Sequence, residues 1–197
     1  MIDNHSIQEI GKRELILDSA LKIFSRNGFH GATVEEVAES AGVGKGTVYL
    51  YFQSKTDLFV SVVEEKLNEL QGLIVGHLKD IEGAHVKLGE FIKLHWEFFN
   101  KSKEFVRVIL SDLGGLEKEL DTRTRQARTK LIKVLESIIK EGINNGEFKK
   151  IEPKLAAYAI EGAISFVAFE SLVNRMDTSF TSDVSQLIDI CISGLCY

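Results

Sequence analysis

The chain has 197 residues and a net charge of −5, with 44% hydrophobic and 27% charged residues, the balance of a globular protein with a sizeable buried core. One proline in the whole chain disfavours a many-stranded fold, and two cysteines five positions apart, Cys191 and Cys196, form no C-x-x-C pair and read as buried or partly buried thiols. No stretch approaches the roughly 20 apolar residues of a membrane span and the first residues lack a secretory core, so no membrane partner and a cytoplasmic setting are expected.

The predicted elements are all helical. From Lys12 to Asn27, Ile16, Leu17, Ala20, Ile23 and Phe24 share one helical face, and Gly28 follows as a stop. Thr33 and Glu36 form a T-x-x-E capping box that opens a second, short helix carrying Val34, Val37, Ala38 and Ala41 on its inner face. Ala41-Gly42-Val43-Gly44 is a tight break before a third helix, which makes a helix-turn-helix.

In that arrangement the second of the two helices enters the major groove. Gly44 and Gly46 keep its start small, so backbone N–H groups can approach phosphates and bases. Lys45 adds a positive charge, Thr47 a hydroxyl and a methyl for a base edge, and Tyr49 and Tyr51 hydroxyls that reach the sugar-phosphate backbone. Val48 and Phe52 face inward. Ser54 caps a fourth helix with Asp57 at its third position, and Lys55 at that start is expected on a phosphate. The acidic total does not oppose this reading, because residues 44–55, GKGTVYLYFQSK, contain two lysines and no acid.

The run GFHGATVEEVAESAGVGKGTVYLYFQSKTDLF resembles the DNA-binding domain of TetR-type transcriptional repressors over about the first third of the chain. The resemblance implies that Thr33, Lys45, Gly46, Thr47, Tyr49, Tyr51 and Lys55 contact double-stranded operator DNA. It also implies a homodimer, a C-terminal ligand-sensing domain, and repression relieved by a small effector. The expected organisation is a helix-turn-helix domain over 1–55 and a helical ligand-binding and dimerisation domain over 56–197, about nine helices in all.

Beyond the reader, helices are expected over 55–80, 85–100, 104–113, 116–145 and from Pro153 onward, the last of these nearly apolar all round. A final helix over 182–196 carries Leu187, Ile188, Cys191, Ile192 and Leu195 on one stripe. Ala159, Gly162 and Ala163 would let another helix approach closely. With the terminal stripe they would build the four-helix interface between protomers that the resemblance implies. Trp96, Phe99, Phe166 and Phe169 are either core or the lining of the apolar effector pocket that the resemblance implies. His95, beside Trp96, reads as a satisfied histidine of core or pocket. Arg107 and Asp112 interrupt an apolar run and could fix a polar group of a ligand, pair with each other, or be exposed. The basic run 122–130 reads as a solvated face, with a pocket-mouth role for Arg123, Arg125 or Arg128 toward an anionic ligand such as an acyl-coenzyme A as the alternative.

An enzyme is disfavoured: the five histidines show no metal spacing, and neither a nucleophile elbow nor a phosphate loop is present. No cofactor or metal is expected beyond an effector that is largely apolar or acyl-CoA-like. A regulator that answers to a protein partner, or that is activated by its ligand, is the alternative.

Overall fold

The computed structural model describes residues 4–111, 118–173 and 184–196. Nine helices lie among them: α1 (Asn4–Gly31), α2 (Val34–Ser40), α3 (Lys45–Tyr51), α4 (Lys55–Leu78), α5 (Ala84–Lys101), α6 (Lys103–Ser111), α7 (Lys118–Asn144), α8 (Pro153–Val173) and α9 (Val184–Ser193). The chain groups into two compact units. One holds Met1–Lys66 with Glu104–Thr124, the other Leu67–Lys103 with Arg125–Tyr197. The division falls inside α4.

In the first unit the local signals act as written. Gly28 breaks α1 with φ 66°, and a last turn of helix resumes to Gly31. Thr33 caps α2 with both halves of the capping box formed, the Glu36 N–H reaching Thr33 Oγ1 and the Thr33 N–H reaching Glu36 Oε2. Gly42 takes φ 67°, a left-handed backbone in which a side chain would be strained. The core is aromatic: the Phe59 ring meets Phe24 and Phe29 edge-on at 5.0 and 5.3 Å, and those two stack on each other at 6.2 Å. Each such burial stabilises by about 1.5–3 kcal/mol. Val48 and Phe52, 1% and 2% exposed, fix α3 to this core.

In the second unit α5 is the organising helix, burying Leu88, Phe91, Ile92, His95, Trp96, Phe98 and Phe99. Its N-terminus is capped from far along the chain, by a Glu147 carboxylate that accepts from the Ala84 and His85 N–H groups at 3.1 and 2.9 Å. Those two bonds hold the Glu147 carboxyl below its usual range. A Cβ at Gly89 would stand 3.7 Å from Ile188 and 4.0 Å from Ile192, so α9 packs against the glycine face of α5. Among the described residues no helix is long and apolar enough to cross a membrane.

Candidate functional site

The α3 helix presents one exposed face. Gly44, Lys45, Gly46 and Tyr49 are exposed and Thr47 and Tyr51 half-buried, while Val48 turns inward. Neither glycine is demanded by the fold itself. Gly44 caps α3 at φ −72°, and a Cβ at Gly46 would meet nothing within 4 Å. Space is left open outward, toward whatever approaches the helix start. Sequence reasoning passed over Leu50, which at 84% exposed is the barest large apolar side chain among the described residues. Its spacing two positions from the inward Val48 was the available signal.

Electrostatics refine the picture. The Lys45 ammonium bonds the Glu35 carboxylate of α2 and lies 5.8 Å from the Tyr49 ring. This bond lowers the Glu35 pKa and raises that of Lys45. Both side chains are more than half exposed, so the pair is worth little to stability. Thr33 is occupied as the α2 cap. Lys55, expected on a phosphate, instead directs its ammonium to the carbonyls of Phe29, Ala32 and His30 at 2.8, 2.9 and 3.5 Å, over the Phe29 ring at 4.6 Å. Its three donors are engaged at the end of α1, which makes it a peg of the domain.

Arg123 also departs from expectation. Expected on a solvated face, it instead donates from its guanidinium to Asp57, Ser61 and Glu64 of α4 at 2.6, 3.4 and 2.5 Å. The two carboxylates, Glu64 foremost and then Asp57, raise its pKa. Asp57 in turn accepts from the Gln53 N–H at 2.8 Å, just past the end of α3.

The expected effector residues divide. His95, Trp96 and Phe99 are buried together on α5, at 0%, 5% and 7% exposure. Arg107 is exposed on α6, in the first unit. Phe166 is 63% exposed on α8, not an enclosed lining. Phe169 lies on α8, its side chain outside the described residues, as is the whole of Asp112. His95, expected to be satisfied, is not. Neither ring nitrogen has a hydrogen-bond partner, nor has the Glu161 Oε2 that stands 3.4 Å from Nδ1. Bare buried polar atoms cost about 1–3 kcal/mol each.

Of the expected interface residues, Ile192 is buried within the protomer where α9 packs on α5, and Leu195, just past the end of α9, is buried with its carbonyl accepting from the Lys149 N–H at 2.9 Å. Ala159 and Gly162 are exposed, and Ala163, Leu187, Ile188 and Cys191 half-buried. On these two helices the exposed large apolar side chains are Leu155, Tyr158 and Phe166 of α8 and Ile190 of α9.

Residues 16–62 match the family described as bacterial regulatory proteins, tetR family, and residues 82–169 match the tetracyclin repressor-like C-terminal domain. Among similar proteins, a fatty acid metabolism regulator protein of Bacillus subtilis is 26% identical over 181 residues, 91% of this chain and 93% of that one. The transcriptional repressor NicS of Pseudomonas putida is 30% identical over 142 residues, 70% of this chain and 66% of NicS. Among solved structures, the transcriptional regulator FadR of Bacillus subtilis in complex with stearoyl-CoA superposes with a TM-score of 0.86 at 26% identity, covering 92% of this chain and 98% of that one.

Proposed function

Since this chain belongs to the TetR family of bacterial regulatory proteins, we propose that it is a dimeric cytoplasmic repressor that leaves a palindromic operator when its second unit binds a largely apolar, acyl-chain effector. The observation that carries the DNA half is the α3 face itself. Two glycines the fold does not require stand beside Lys45, Thr47, Tyr49 and Tyr51, with Val48 and Phe52 anchoring the helix behind them. In a homodimer two such helices would sit about 34–36 Å apart, one turn of DNA. The exposed Leu155, Tyr158 and Ile190 support dimerisation through α8 and α9, since a monomer seldom leaves a large apolar patch open to water.

The effector half is supported by the aromatic interior of α5 and by the likeness to a regulator solved with stearoyl-CoA. To reverse a 99:1 preference for operator binding, the effector must favour the released state by about 5.5 kcal/mol. The continuous α4 begins two residues after Gln53 and runs on to Leu78, so a displacement of its second half is carried toward the reader.

The test is release. The protein is bound to labelled duplex from upstream of its own coding region and titrated with stearoyl-CoA, with coenzyme A alone as the control. Dissociation by the acyl form only supports the reading. Indifference to both removes the acyl-chain effector and leaves the DNA assignment standing.

A further inference from the structure

Among the described residues, the buried side-chain polar atoms without a hydrogen-bond partner are three, and they fall in one place: Nδ1 and Nε2 of His95 and Oε2 of Glu161. Native interiors satisfy nearly all such atoms, so a cluster of bare ones calls for a third group that completes them. Its surroundings are apolar. The rings of Phe91 and Phe99 stand edge-on at 5.7 and 4.6 Å from the imidazole, and His95 itself is 0% exposed. The completing group is therefore the polar end of an otherwise apolar molecule, not a hydrated ion.

We propose that the His95–Glu161 pair, between α5 and α8, is the seat for a hydrogen-bond donor, a hydroxyl, an undissociated carboxyl or an amide N–H, at one end of the apolar effector. This deepens the reading of the second unit as an effector domain and rests on it. The tautomer sets the sign. Burial keeps the imidazole neutral, so it carries one proton and one bare nitrogen. With the Glu161 carboxylate 3.4 Å from Nδ1, the proton belongs on Nδ1, facing the negative charge. Nε2 is then an acceptor in an apolar surround. A donor satisfies it; an ether or ester oxygen, an acceptor only, leaves it bare and adds a further unpaired atom to the cluster. Glu161 is kept in place by Ser165, whose Oγ donates to its Oε1 at 3.2 Å.

Trp96, the single tryptophan and the neighbour of His95, reports binding through its own fluorescence. The probes are dodecanol and dodecyl methyl ether, which match in chain and differ in the donor, with stearoyl-CoA beside them. The full-length protein is expected to bind the alcohol about tenfold more tightly than the ether. His95→Phe should bind both alike, and Glu161→Gln should narrow the preference. Operator affinity without probe, unchanged in both variants, shows that they fold. Should His95→Phe fail to fold, the alcohol–ether comparison in the wild type and Glu161→Gln still decides. Equal affinity for alcohol and ether in the wild type, or a preference that survives in His95→Phe, overturns the seat while an acyl-chain effector stands. No binding of any of the three probes overturns the seat together with the reading it rests on.

Discussion

Arg123 of α7 and Asp57 of α4 are joined by a 2.6 Å hydrogen bond across 66 positions of sequence, and the other oxygen of the same carboxylate takes the Gln53 N–H at 2.8 Å. One side chain thus links α7 to the residue that leaves the recognition helix, next to the buried Phe52. Arg123→Met should lower operator affinity by about three- to tenfold with the salt slope unchanged, because no phosphate contact is lost. Fluorescence anisotropy over a salt series reads both. A fall in thermal stability with affinity intact would make Arg123 a structural tie only.

Gly46→Ala separates folding from reading. Alanine is the better helix former by about 1 kcal/mol, and a Cβ there meets nothing. The free protein should melt at the same temperature or higher, while operator binding weakens by about tenfold as the methyl holds the DNA away. A variant that melts lower and binds normally contradicts the close-approach role of this glycine.

Glu35 competes for Lys45. The ammonium rests on this carboxylate in the free protein, and the proposed phosphate contact of Lys45 would have to displace it. Glu35→Gln should therefore tighten operator binding by about threefold near 150 mM salt and leave the melting temperature almost unchanged. Weaker binding in this variant would mean that Glu35 positions Lys45 instead of restraining it.

The local features of this fold were legible in the sequence because their partners are close. The Thr33–Glu36 box, the Gly42 turn, the inward Val48 and Phe52 and the Pro153 helix start each depend on neighbours within one or two turns. What escaped involves distant partners. The Lys55 ammonium is held by the distant carbonyls of Phe29 and Ala32, and Arg123, expected on a solvated face, is held by Asp57 and Glu64 of α4. The apolar stripe of α9 was visible, but a stripe does not say which helix it meets. Gly89 of α5, about a hundred positions earlier, decides that Ile192 turns inward.

His95 makes a pH prediction with a definite sign. Burial lowers its pKa, and Glu161 offsets only part of that effect. The unfolded chain titrates near about 6.5, so below that value it binds a proton that the native state refuses. The contribution of this residue is constant above about pH 6.5, and stability is lost as pH falls beneath it. Urea unfolding at about pH 7.5, 6.5 and 5.5 should show a decline that His95→Phe reduces. Parallel declines in both proteins would assign the acid sensitivity to other groups.

The central claim is that the α3 face reads DNA, and salt dependence tests it most directly. Duplex from upstream of the protein's own coding region and a scrambled duplex are titrated over about 50–200 mM salt with wild type and Lys45→Ala. The expected result is tight binding of the genuine duplex only, weakened in the variant, with the slope of log affinity on log salt reduced by about 0.9 for each Lys45 lost from a phosphate. Identical affinity and identical slope in the two proteins would contradict the assignment of this helix as the reader.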